Sequence, residues 1–458
     1  QFFPKDGWVE HCPTEILNST LDVIRAAISQ SNLNLTDLTA IGITNQRETV
    51  VVWDRATGEP IYPAIVWQDR RTADRCKQLR EEQVEADVNA RTGLLLDPYF
   101  SATKIAWILD NVDGARDRAI SGELAAGTID SWLVWHLTEG CSHVTDATNA
   151  SRTSLFNIHT NRWDDTLCDL FNVPANLLPE VRDSAGHFGD ATSEPFNGLA
   201  VPITGIAGDQ QAALIGQCAL SEGAIKSTYG TGCFVIANTG AEPLASKHRL
   251  LTTIAYRING ETTYGLEGSI FIAGAAVQWL RDELEIITDA TQTQAILEKT
   301  EHNHGITVVP AFTGLGAPHW CADARGAIFG LKRNSGRNEL ITATLESVAL
   351  QSNDLLEAFR DDGLCVSQFK IDGGMSTNPA FCQLLADITN QTVFVPRNSE
   401  TTALGAAFLA AVGVGLYKTL DDVSEYWELD SQYEPQTLND LEQIKKRWTR
   451  CVELTKQL

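Results

Sequence analysis

An apolar strand over residues 201–206 runs without a linker into Ala207-Gly208-Asp209-Gln210-Gln211 and then into a helix-like run over 211–218. No other feature restricts the fold so tightly. A chain that passes from buried strand to helix through one glycine must turn sharply, and it leaves a lone carboxylate at the strand's carboxyl end. That is where open α/β sheets bind their ligands. Backbone N–H groups at the helix start, together with the helix dipole, favour the ionised form of Asp209. A general base for a hydroxyl group needs that form. Gly-Asp ahead of a helix is also an ordinary N-cap, so the company Asp209 keeps has to decide.

Strands and helices alternate along the whole chain, which defines an α/β class. Pro13-Thr14 opens a helix with Ile16, Leu17, Leu21, Ile24 and Ile28 on one face. Residues 39–44 read as a buried strand. Residues 50–53 and 61–66 flank the turn Ala56-Thr57-Gly58-Glu59 as a hairpin. Helices are expected over 99–111 and 130–137. At 458 residues the chain exceeds one ordinary core. A break falls near 216–223, where a Gly-rich strand–turn–strand over 228–234 begins. A second α/β unit follows, with a strand over 366–371, the turn Asp372-Gly373-Gly374, a helix from Asn378 and an Ala-rich helix over 403–412. The reading is two domains, 1–216 and 217–458, with a cleft between them.

Composition narrows the function classes. A net charge of −24 argues against a broad nucleic-acid or anionic-membrane surface. No window reaches the ~18 uncharged apolar residues of a spanning helix. Ten cysteines run from Cys12 to Cys451 with no C-x-x-C pair, and no signal-like segment is present. That pattern suits reduced thiols and a cytoplasmic protein. The nine histidines form no ligand-spaced cluster.

Asn45-Gln46-Arg47-Glu48 follows the 39–44 strand. A guanidinium and a carboxylate at a strand's end can hold a polyol, one donating and the other accepting. The same pair also reads as a surface ion pair. Trp67 ends the 61–66 strand and Tyr99 follows Asp97-Pro98 in a turn; either could back a carbon skeleton, and either could be core. Gly230-Thr231-Gly232 suits an anion-binding nest or a tight hairpin. Asp372-Gly373-Gly374 leads from strand to helix, an arrangement suited to a nucleotide's phosphate or sugar. Gly274 and Gln278 lie one helical turn apart and can share a face, for ligand or for packing.

At these residues the chain resembles the FGGY carbohydrate kinase family. Two long runs carry the resemblance: 99–111, which opens Tyr99-Phe100-Ser101-Ala102-Thr103-Lys104, and Gly326-Ala327-Ile328-Phe329-Gly330-Leu331 through Ala343-Thr344-Leu345-Glu346-Ser347. Residues 41–49, 97–101 and 206–212 match as well, so the likeness covers essentially the whole chain. It implies a pair of actin-like, ribonuclease-H-like ATPase domains closing over a cleft. It implies phosphoryl transfer from ATP to glycerol, giving a 3-phosphate, with Mg²⁺ as cofactor and a homo-oligomer, dimer or tetramer, as the assembly. By position, Arg47, Glu48, Tyr99 and Asp209 would hold the polyol hydroxyls with Gln210 assisting, while Trp67 and Phe234 pack on its carbons. Asp209 would be the general base and, with an acidic residue upstream, a Mg²⁺ ligand. Gly230, Thr231, Gly274, Gln278, Gly374 and Asn378 would line the ATP site.

The family opens with a hairpin bearing an Asp-(Gln/Gly)-Gly-Thr-Thr phosphate loop, and this chain opens instead at Gln1, after that point. Roughly 35 residues, about two strands and their turn, are expected to be missing, and the chain as it stands is expected to turn over poorly. Three alternatives stand beside the main reading. They are an FGGY kinase for a pentulose or larger polyol, a non-catalytic binding protein on this fold, and an actin-like filament protein. The aromatic pair Trp67 and Phe234 favours a three-carbon substrate over the first, and the polyol residues argue against the last.

Overall fold

Two parallel strands deliver the site from one end of a sheet. The computed structural model describes residues 1–31 and 34–457. In it Val201–Gly208 pairs in parallel with Ile41–Asn45, setting Ala207 beside Thr44 and Gly208 beside Asn45. The loops that follow both strands therefore leave side by side. Ala185–Ala191 completes this three-stranded sheet on the outer edge of Val201–Gly208. A four-stranded sheet in the same half has the order Glu10–His11, Ala64–Ile65, Val50–Asp54, Leu124–Thr128.

The hairpin over 50–66 forms, with Val50 opposite Ile65, although only Ala64–Ile65 of its second arm is regular strand. Its turn closes through Gly58 N–H donating to the Asp54 carbonyl at 2.8 Å. The helix expected over 99–111 starts later, at Ser101–Asn111. Asp97 Oδ1 accepts the Tyr99 N–H at 2.9 Å and Phe100 is extended, so the turn, not the helix, claims Tyr99.

The second half is built on one seven-stranded sheet, in the order Leu251–Ile258, Glu261–Ile270, Cys233–Gly240, Ala224–Tyr229, Gln368–Asp372, Val393–Pro396, Leu429–Tyr433. Its core is the largest in the molecule. Phe369, Ile371, Phe381, Leu385, Phe359 and Trp448 pack between this sheet and the helices Arg337–Asp361, Pro379–Thr389 and Leu441–Thr455. No helix among the described residues is long and apolar enough to cross a membrane.

One helix ties the halves together. Thr401–Gly413 follows the second sheet's Val393–Pro396 strand but packs on the first half, against Val201–Gly208, Ile41–Asn45 and the helix Asp209–Gly216. The approach is backbone to backbone. A Cβ on Gly42 would lie 2.2 Å from the Ala406 carbonyl oxygen, and one on Gly205 2.4 Å from the Ala410 nitrogen. Neither position has room for a side chain. Thr204 Oγ1 adds a bond to the Ala410 carbonyl at 2.8 Å. Buried Asp372 joins three segments: it accepts from Gln217 Nε2 at 2.9 Å, from Thr401 Oγ1 at 2.6 Å and from Thr228 Oγ1.

Candidate active site

Past Asn45 the chain runs into the interior, and Arg47 and Glu48 are both buried. Glu48 sits at φ +57°, a left-handed conformation that costs a non-glycine residue about 1–3 kcal/mol. Its surroundings hold it there: Glu48 O accepts from Lys104 Nζ at 3.1 Å and from Ser101 Oγ at 3.3 Å. The same ammonium donates to Tyr99 O at 2.5 Å, so one buried lysine fixes the backbone of two candidate polyol residues. Burial lowers its pKa to about 8.

Four buried charges, Arg47 among them, alternate in a ring. Its Nη1 donates to Glu267 Oε1; Glu267 Oε2 lies 3.3 Å from Arg152 Nη1; Arg152 Nε donates to Glu48 Oε1 at 2.7 Å; and Glu48 Oε1 stands 4.0 Å from Arg47 Nε. A fifth group, Asp209, meets Arg47 Nε at 3.3 Å. Buried charges persist only when compensated in this way. Burial penalises the Glu267 carboxylate, but Arg152 and Arg47 outweigh it and lower its pKa. At Glu48 burial wins and the pKa is raised despite Arg152 and Arg47. The Tyr99 phenol is pushed up by burial and then by Glu48, so it stays protonated and able to donate.

Asp209 is the first residue of the helix Asp209–Gly216, whose N-cap is Gly208, so the N-cap reading fails. Its Oδ1 accepts the N–H of Gln210 at 2.8 Å and Oδ2 has no hydrogen-bond partner among the described residues. The side chain is 38% exposed, the only open member of the charged group. Gln210 Oε1 accepts from Lys226 Nζ at 2.6 Å, which leaves its NH₂ as a donor. Trp67 contacts Tyr99 edge-on at 5.6 Å between ring centroids and Phe234 at 5.9 Å, making an aromatic wall. Tyr99, Gln210, Phe234 and Glu267 line one small cavity with Trp320.

Gly230, Thr231, Gly274, Gln278, Gly374 and Asn378 also come together, around a cavity of about 310 Å³ at the end of the Ala224–Tyr229 strand. That volume lies at the small-molecule end of ligand pockets, about 300–1,000 Å³. Gly274 opens the helix Gly274–Asp282 and its N–H donates to Gly230 O at 2.9 Å; a Cβ there would lie 2.6 Å from that oxygen. Asn378 has a structural duty as well. It caps Pro379–Thr389, accepting from Ala380 N at 3.1 Å and Phe381 N at 3.2 Å, and its Nδ2 donates to Thr293 Oγ1 at 3.0 Å.

Asp209 is the only metal-ligating side chain the sequence pointed to. Among the described residues no group of three or more His, Cys, Asp or Glu could hold a metal ion by itself. One partly exposed carboxylate with an unpartnered oxygen still fits Mg²⁺, which is commonly held by one or two carboxylates, waters and substrate phosphates.

Sequence reasoning missed Glu267, Arg152, Lys104, Lys226 and Gln211, whose Oε1 accepts from Arg47 Nη1 at 3.1 Å. The available signal was a charge inside an apolar run: Glu267 and Lys226 each interrupt a buried strand, and a buried charge implies a partner elsewhere.

A glycine-lined cavity and a charged, aromatic-walled pocket, set on two sheets and joined by a shared helix, define a two-domain sugar-kinase architecture. The profile of the FGGY family of carbohydrate kinases, N-terminal domain, matches residues 1–216 and that of its C-terminal domain matches 225–414; the chain belongs to this family. It is 57% identical to "Glycerol kinase 1" of Pseudomonas aeruginosa over 434 residues, 94% of this chain and 87% of that one. It is 57% identical to the glycerol kinase of Alcanivorax borkumensis over 436 residues, 95% and 87% of the two chains. The solved structure of Plasmodium falciparum glycerol kinase with ADP superposes with a TM-score of 0.93 at 38% identity, covering 99% of this chain and 92% of that one.

Proposed function

We infer that this protein phosphorylates glycerol with ATP, giving sn-glycerol 3-phosphate and ADP. The observation that carries the reading is the convergence of Arg47, Glu48, Tyr99, Asp209 and Gln210 beside the Trp67–Phe234 wall, in a chain 57% identical to glycerol kinases. Arg47, Tyr99 and Gln210 donate to hydroxyl oxygens and Glu48 accepts. The rings cover the C–H face, and an aromatic wall this close suits three carbons better than a pentulose. Asp209 takes the proton of the terminal hydroxyl as its oxygen attacks the γ-phosphorus; the bond from phosphorus to the ADP oxygen breaks, and ADP leaves with that electron pair. Asp209 would hold Mg²⁺ together with substrate phosphates, and the ion would supply charge neutralisation during the transfer.

The six residues around the larger cavity receive ATP. Gly230, Thr231, Gly274 and Gly374 bring backbone close to it, and Gln278 and Asn378 border it. We assign residues 1–216 to acceptor binding and 217–458 to nucleotide binding, with Phe234 and Glu267 as second-half contributions to the acceptor pocket. The reaction belongs in the cytoplasm, where ATP is supplied; ten free cysteines suit that reducing compartment. ADP release, measured with glycerol, xylulose and erythritol as acceptors, tests the assignment. Glycerol is expected to give the highest kcat/KM, and a pentulose used better than glycerol would overturn it.

A further inference from the structure

Behind the two site strands lies a buried polar cluster that none of these steps uses. Its centre is Asp146, fully buried and with no cationic partner among the described residues. The carboxylate instead accepts five hydrogen bonds: from Thr148 N at 3.0 Å, Thr148 Oγ1 at 2.9 Å, Asn149 N at 3.0 Å, Asn149 Nδ2 at 3.0 Å and Ser184 Oγ at 2.7 Å. Two arms leave it. Thr148 Oγ1 accepts the Gly208 N–H at 2.9 Å, one residue before Asp209. Asn149 Oδ1 accepts from Asn45 Nδ2 at 3.0 Å, two residues before Arg47.

The first arm has a defined direction. A hydroxyl has one proton, and the Thr148 proton is given to Asp146, so a lone pair must face Gly208. On its other side Gly208 is pressed against Arg47, whose Cγ and Cδ both lie 2.6 Å from where a Cβ would stand. Gly208, the residue before Asp209, is thus held between the Thr148 hydroxyl and the Arg47 stem.

We propose that Thr148, oriented by Asp146, is a positioning residue for phosphoryl transfer: its hydroxyl sets the angle at which the Asp209 carboxylate enters the cleft. The proposal rests on reading Asp209 as the general base. A misplacement of ~1 Å at a reacting group can cost ~10²-fold in rate, so a single anchoring bond next to the base has leverage on kcat.

The test compares Thr148→Val, which keeps the shape and removes the hydroxyl, with Thr148→Ser, which keeps the hydroxyl. Steady-state kinetics and thermal unfolding are measured for both, beside Asp209→Asn. T148V is expected to lose ~10-fold or more in kcat with KM for glycerol and ATP within about 2-fold, and T148S to recover most of the loss. A T148V enzyme with parental kcat overturns the proposal. So does a loss that T148S fails to rescue or that appears only in KM. If T148V does not fold, Thr148→Cys, a weaker donor and acceptor, is expected to give an intermediate kcat; a parental kcat in T148C then overturns it. A D209N enzyme with parental turnover sinks the general-base reading instead, and the two failures are distinguishable.

Discussion

Arg47 and Glu267 form an ion pair across 220 positions of sequence, joining the loop after a strand of the first sheet to the Glu261–Ile270 strand of the second. The pocket proposed for the acceptor is therefore lined from both halves of the chain. Arg47 is held from both sides: Glu267 reaches it from the second half, and Gln211 Oε1 at 3.1 Å and Asp209 Oδ1 at 3.3 Å from the first.

Removing one side of this pair is expected to be costly. Glu267→Gln leaves the buried Arg47 and Arg152 guanidiniums facing one carboxylate fewer, and breaking such a pair destabilises by roughly 3–5 kcal/mol. Denaturant unfolding should show the loss, with KM for glycerol rising and KM for ATP little changed. Unaltered stability would mean that water enters the pocket and compensates both cations.

Asp209→Asn keeps the shape and some hydrogen bonding but cannot accept the proton. General-base catalysis is typically worth ~10²–10⁴, so kcat is expected to fall by that order while glycerol affinity changes much less. Turnover close to the parent's would leave Asp209 with a positioning role only.

Gly274→Ala puts a methyl 2.6 Å from the Gly230 carbonyl oxygen, and both partners are backbone. Overpacking of this kind costs ~1–3 kcal/mol. The cavity proposed for ATP should open out, raising KM for ATP by an order of magnitude or so with glycerol binding preserved. Calorimetric titration with ADP checks this directly, and unchanged ADP affinity would place the nucleotide elsewhere.

Asp130 supplies a prediction in pH. It is buried beside Asn45, which donates to it at 3.3 Å, and burial raises its pKa from 3.8 to about 6 against bonds from Thr128 and Thr145. The folded state then binds more protons than the unfolded state between those two values. Stability from this group is complete below about 4 and is lost as pH rises through about 6. Asp130→Asn removes the titration, so its unfolding free energy should rise relative to the parent's across that window. Parallel curves for the two proteins from pH 4 to 6 would contradict the assignment.

Much of this was legible along the chain. Alternating strands and helices identify the α/β class, because period 2 and period 3.6 are written in neighbouring residues. The strand–Gly–Asp–helix run places Asp209 at a strand's carboxyl end, and the structure finds it there, starting the helix Asp209–Gly216. The six residues expected around a nucleotide do share one cavity. Turns were harder. Tyr99 leaves its expected helix because the Asp97 carboxylate takes its N–H, a local competition that apolar periodicity does not register.

Sequence alone determined the class, the carboxylate at the strand end and the glycines that admit a close ligand, since each depends on residues within a few positions of one another. Only the tertiary structure decided what surrounds them. Glu267 meets Arg47, Thr148 meets Gly208, and Thr401–Gly413 crosses to the other half through Gly42 and Gly205. Those pairings follow from strand register and backbone approach between segments far apart in sequence. A buried charge announces only that it must have a partner, and packing chooses which one.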